Sequence, residues 1–171
     1  MRSGRKRLLQ CAAVAAVAAI CLVYLRRPGK PVQDELVGAP DCPFRVLIAT
    51  EGTEFKMDVA AGVARRITSD ACQVKITDAR RLDDGDAGDY DVVVILSSVI
   101  LGKLHKAAHW WLAQDGSRGR TVVVATATDA DWLLNEPDID AYTAASRKQD
   151  AESLAADIAE KIRRRLEIND E

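Results

Sequence analysis

The run Asp91-Val92-Val93-Val94-Ile95-Leu96 constrains the fold of this chain more than any other stretch. An alternating strand would leave one face to water. A continuous β-branched run must be covered on both faces, the condition of a central strand in a parallel sheet. Other segments fit around it. Phe44-Arg45-Val46-Leu47-Ile48-Ala49-Thr50 is a second buried-strand pattern, stopped by Glu51-Gly52, and Thr121-Val122-Val123-Val124-Ala125 is a third. Cys72-Gln73-Val74-Lys75-Ile76 alternates polar and apolar, which suits an edge strand. Between these lie helical patterns. Phe55, Val59, Val63 and Ile67 form one stripe with Lys56, Arg65 and Arg66 off it. A helix is expected over Leu104 to Gln114, with Trp111 inward, and a longer one over Asp150 to Leu166, with Leu154, Ile158, Ile162 and Leu166 on one side. Strand and helix thus alternate, which predicts an α/β sandwich around a parallel sheet. In such sheets ligands bind beyond the carboxyl ends of the strands. Three loops occupy that edge: Thr50 to Glu54, Ser97 to Gly102 and Thr126 to Asp131.

A different pattern precedes this domain. Leu8 to Leu25 reads LLQCAAVAAVAAICLVYL, with Gln10 its one polar residue and no charge. Eighteen residues of helix rise ~27 Å, close to the hydrocarbon thickness of a bilayer. Arg2, Arg5, Lys6 and Arg7 stand before the run, and Arg26, Arg27 and Lys30 after it. A cleaved signal peptide would end in a small-x-small site, whereas Leu25-Arg26-Arg27-Pro28 follows. A lipoprotein signal would need a small residue before its cysteine, and Ile20 precedes Cys21. An uncleaved single-pass anchor, a signal-anchor, fits best. Four basic side chains before the span against three after it leave the side of the membrane open. The organisation expected is therefore an anchor over 1–30 (span about 8–25), a Pro- and Gly-containing linker over 31–41, and one domain over 42–171.

Composition narrows the function. Beyond residue 30 the chain holds 26 Asp and Glu against 17 Lys and Arg. Such an acidic domain lacks the basic footprint that nucleic acid requires. Cys11 and Cys21 fall in the apolar span. Cys42 and Cys72 have no CxxC spacing, so they define neither a metal site nor a redox motif. His105 and His109 stand four apart, but no cysteine or acid beside them completes a metal set, and a solvent-facing helix side is expected. No GxSxG, P-loop or HExxH motif occurs, so no catalytic or metal-ligating residue is assigned. The six aspartates between Asp78 and Asp91 are expected in a solvated loop, or else at a docking surface for a basic redox partner.

The loops resemble those of the flavodoxin-like family. Ile48-Ala49-Thr50-Glu51-Gly52-Thr53-Glu54 stands where that family wraps the phosphate of FMN. Leu96-Ser97-Ser98-Val99-Ile100-Leu101-Gly102-Lys103-Leu104 has the form of its loop after the third strand. Ile139 to Arg147 would hold the last short strand and its loop. The resemblance covers about residues 44–167. It implies a three-layer sandwich with strand order 2-1-3-4-5, here preceded by a transmembrane helix, and FMN as cofactor. Its implied contacts are Thr50, Glu51, Gly52 and Thr53 at the phosphate, Ser97, Ser98, Val99 and Gly102 beside the ribityl chain or ring, and Thr126 and Trp132 closing the pocket. Glu51 and Glu54 replace hydroxyl residues in the phosphate turn. Carboxylates there repel a phosphate unless they point away, so FMN should bind more weakly than in an ordinary flavodoxin, and Glu54 alternatively caps the helix start. The chain has no second domain for NAD(P)H, so electrons would come from a partner protein. Two readings stand beside this one: a flavin-free accessory or scaffold subunit of a membrane complex, and an oxidoreductase like the quinone-linked porphyrinogen oxidases of this fold, which no residue here demands.

Overall fold

A computed structural model describes residues 29–82, 89–99, 103–126, 140–144 and 150–167. In chain order its elements are β1 (Glu35–Val37), β2 (Phe44–Thr50), α1 (Glu54–Ile67), β3 (Cys72–Asp78), β4 (Val92–Ser98), α2 (Lys106–Leu112), β5 (Thr121–Thr126), β6 (Asp140–Ala144) and α3 (Ala151–Arg165). The strands form one sheet in the order β1-β3-β2-β4-β5-β6. From β3 to β6 every pairing is parallel. Counted from Phe44, these five strands run 2-1-3-4-5, the doubly wound order of flavodoxin-like folds.

The pleat sorts side chains into two cores. Val46, Ile48, Val74, Ile76, Val92, Val94, Leu96, Val122 and Val124 face α1 and α3. Leu47, Ala49, Val93, Ile95 and Val123 face the opposite way, against α2 with Ala79 and Leu82. β4 is buried from Val92 to Ser97, as its unbroken apolar sequence requires. Each such Val or Ile contributes about 1.5–3 kcal/mol relative to exposure. On the first face, α1 and α3 approach closely at Gly62, where a Cβ would come within 2.9 Å of Ala155 Cβ. The α1 stripe of Phe55, Val59, Val63 and Ile67 is buried, as are Leu154, Ile158 and Ile162 of α3.

Two expectations are corrected here. β3 is not the edge strand. β1, within the segment read as a linker, pairs antiparallel with it through Glu35–Ile76, Leu36–Lys75 and Val37–Val74. This sixth strand makes the order differ from a bare 2-1-3-4-5. Its neighbours are tied down as well. Val32 N–H donates to Asp78 Oδ2 at 3.0 Å, Thr77 Oγ1 donates to Asp34 Oδ1 at 2.7 Å, and Lys75 and Arg81 pair with Asp34. Three exposed or half-exposed residues carry too little periodicity to read as a strand, and the surrounding Pro and Gly read as linker.

The second helix is also shorter than its pattern. His105 is its N-cap, with Nδ1 accepting from Ala107 N–H at 3.3 Å, and the helix runs only over Lys106–Leu112. Trp111 is core: its Nε1–H donates to Thr121 Oγ1 at 3.0 Å and the Arg120 guanidinium lies 5.2 Å from its ring centroid. Trp110 remains exposed and Cys42 and Cys72 form no disulfide. Among the described residues no helix is long and apolar enough to cross a membrane, and the run 8–25 lies outside them.

Candidate functional site at the carboxyl edge of the sheet

The parallel order brings the carboxyl ends of β2, β4 and β5 side by side, pairing Thr50 with Leu96 and Ser98 with Thr126. There a buried ionic cluster joins the first two. The Glu51 side chain turns back toward β4. Its Oε1 accepts from Ser98 N–H at 2.9 Å and Ser97 Oγ at 3.0 Å. Its Oε2 accepts from Lys56 Nζ at 2.7 Å and Ser98 Oγ at 2.6 Å. Lys56 Nζ also donates to Ser98 Oγ, and Ser97 Oγ accepts from His105 N–H at 3.3 Å. Burial would raise the Glu51 pKa. The Lys56 ammonium and the hydrogen bonds from Lys56 and Ser98 outweigh burial and hold it below the ordinary carboxylate value. Lys56 is only 2% exposed and Glu51 16%.

Lys56 is the residue that sequence reasoning missed. It lies off the apolar stripe and looked solvent-facing. One signal was available: it is the third residue of α1, and a cation in a first turn opposes the helix dipole. Such a position calls for a local anion, and Glu51 is five residues earlier.

The remaining site residues divide cleanly. Thr50, Ser97 and Thr126 are buried, with Thr50 Oγ1 donating to Glu51 O at 3.2 Å, so these hydroxyls serve the interior. Gly52, Thr53, Ser98 and Val99 stay half-exposed at the edge, where Val99 N–H donates to Thr126 O at 2.9 Å. Gly102 and Trp132 lie outside the described residues, as do residues 127–131 of the third loop. Thr53 is the N-cap of α1, extended at φ −91° and ψ 147°, and its side chain makes no cap bond. The first-turn N–H groups of a helix have no acceptor within that helix. Here the Thr53 side chain supplies none either, and the positive end of the 14-residue helix lies at the Gly52–Thr53 turn.

A strap crosses this turn. Lys30 N–H donates to Gly52 O at 3.2 Å, and Gly29 packs so tightly on Gly52 that a Cβ on Gly29 would lie 2.7 Å from Gly52 N. The strap continues through Val32 to Asp78, at the carboxyl end of β3. Asp78 is held to a pKa of about 2 by the Arg80 side chain first, against burial, with the Val32 and Arg80 N–H groups adding to it. The contribution is complete above the ordinary 3.8 and falls away as the pH drops toward about 2. Asp78→Asn should therefore flatten the loss of urea resistance between those two pH values. An unchanged acid limb in the variant would contradict this.

Thr53 N–H is already given to Glu51 O at 2.7 Å and the Lys30 strap packs on Gly52, so an FMN phosphate at this turn would rely on the N–H groups of the first turn of α1. The expected repulsion from Glu51 is removed, because its carboxylate points into the β2–β4 junction and is neutralised by Lys56. Glu54 is exposed at the first position of α1. The ring half of such a site falls largely on residues 100–102 and 127–139, outside the described set. Among the described residues no three His, Cys, Asp or Glu side chains are grouped to hold a metal, and His109 is exposed.

No described protein family and no curated protein sequence matches the chain. Solved structures do match. One is the flavodiiron core of Flv1 from Synechocystis sp. PCC6803, at TM-score 0.54 and 12% identity, covering 75% of this chain and 38% of that one. The chain thus spans well under half of that relative. Another is an oxidoreductase from Corynebacterium diphtheriae, at TM-score 0.51 and 12% identity over 74% of this chain and 99% of that one. A flavodoxin from the domain Archaea matches at TM-score 0.45 and 14% identity, over 70% and 99%. Together with the strand order, the first two define the class: the fold is flavodoxin-like.

Proposed function

We propose that this chain is a flavodoxin-fold redox protein that holds FMN at the carboxyl edge of its sheet, is tethered to a membrane by residues 8–25, and exchanges electrons with a partner. The observation that carries the flavin reading is the start of α1 at a Gly-Thr turn, where the Thr53 side chain makes no cap bond, beside a glutamate already neutralised by Lys56. An anion at that point meets backbone N–H donors and the positive helix end. The Thr53 hydroxyl and the first-turn N–H groups of α1 would hold the phosphate, and Ser98 and Val99 would lie along the ligand. Bound FMN would supply the one- or two-electron chemistry, while the protein binds it and sets its surroundings.

The test is the absorption spectrum of the full chain, purified in detergent and then dialysed against excess FMN. Retained flavin absorbance after gel filtration, at near one FMN per chain, supports the reading. A colourless protein that takes up no FMN favours the flavin-free accessory subunit instead. The Glu51–Lys56 cluster is the observation on that side, since it fills the β2–β4 junction with the protein's own charges.

A further inference from the structure

The strap decides where the site faces. Gly29 lies against Gly52, so the chain reaches the carboxyl edge from residues before 29. Leu25, the last residue of the apolar run, is four residues from Gly29. Four residues of fully extended chain span at most about 14 Å. The headgroup layer on each side of the hydrocarbon is itself about 5–8 Å deep. Gly52 therefore sits within a short reach of the lipid surface whenever Leu25 is in the bilayer.

The strap cannot swing this edge away, because it is fixed along its length. Lys30 N–H binds Gly52 O, Val32 N–H binds Asp78, Asp34 binds Thr77 and Arg81, and β1 is paired to β3. Orientation follows from these attachments more than from charge. The carboxyl edge presents exposed Lys30, Lys103 and Lys106 together with Glu54, and the amino edge also carries both signs.

We propose that the carboxyl edge, with the Thr50–Glu54 turn, faces the bilayer and has lipid headgroups as its neighbours. A consequence is that whatever exchanges with this site arrives along the membrane plane. The proposal rests on residues 8–25 being a membrane span.

Fluorophore labels on Glu54→Cys and, separately, Asp115→Cys test it in the full chain, with Cys11, Cys21 and Cys42 replaced by alanine and the buried Cys72 kept. Asp115 lies between α2 and β5, at the amino edge, one strand length away. Seven strand residues span roughly 23 Å. The chains are reconstituted into phosphatidylcholine–phosphatidylglycerol vesicles containing a lipid with a nitroxide on its headgroup. The label at 54 should lose most of its fluorescence and the label at 115 almost none. Inserting twelve Gly and Ser residues after Arg27, a spacer of roughly 17–21 Å root-mean-square length, should abolish the difference. Equal quenching at the two positions in chains that float with the vesicles would overturn the orientation and leave the anchor standing. Failure of the chains to float with vesicles would overturn both.

Discussion

Lys56→Met is expected to lower the stability of the domain by about 3–5 kcal/mol, the cost of leaving one member of a buried ion pair without the other. Methionine preserves the stem of the side chain, so the loss reports the charge. Without the ammonium, only the Ser98 hydrogen bonds still oppose the burial that raises the Glu51 pKa. The stability that Glu51 ionisation gives the folded protein then shrinks. In the native protein the lowered Glu51 pKa gives stability that is present above its ordinary 4.5 and lost as pH falls through the folded value. In the variant the penalty is greatest at neutral pH and shrinks as acid protonates the carboxyl. Replacing both residues, Glu51→Leu with Lys56→Met, should recover part of the loss, because no buried charge then remains. Urea titrations of the three proteins at pH 5 and pH 7 check this. A double variant as unstable as the single one at both pH values would mean that the cluster is not the source of the effect.

The second large effect is expected at Gly52. A Cβ there would lie 2.0 Å from the Lys30 backbone oxygen and 2.9 Å from its carbonyl carbon, contacts that backbone atoms cannot relieve by changing rotamer. Gly52→Val must lift the strap or deform the turn, at about 1–3 kcal/mol. Hydrogen exchange at Lys30 and Val32 should accelerate. FMN uptake should weaken more than ~100-fold, or about 2.7 kcal/mol, because the deformed turn also begins α1. Gly119→Ala, where nothing lies within 4 Å of the added Cβ, is the control and should change neither property. Normal strap protection and normal FMN uptake in Gly52→Val would contradict the geometry drawn here.

Much of this architecture could be read from the chain because its physical cause is local. A continuous run such as Val92 to Leu96 admits few environments, and the i, i+4 stripe on α1 identifies its buried face without knowledge of its partner. The loops at the carboxyl edge followed from topology alone. The misses have non-local causes. β1 is a strand only because β3 has an open edge, and three residues carry no periodicity of their own. Lys56 is buried because β4 ends beside β2, which puts Ser98 and Glu51 within reach of its ammonium. The direction taken by the Glu51 carboxylate, and with it the fate of the expected phosphate repulsion, depends on that same pairing.

The central claim is that the start of α1 is a phosphate site, and FMN and riboflavin differ only by that phosphate. Calorimetric titration of the full chain in detergent with each ligand, side by side, tests it most directly. FMN is expected to bind at least tenfold tighter than riboflavin, or about 1.4 kcal/mol. Equal affinity for the two flavins, or no binding of FMN at micromolar concentration, would contradict it.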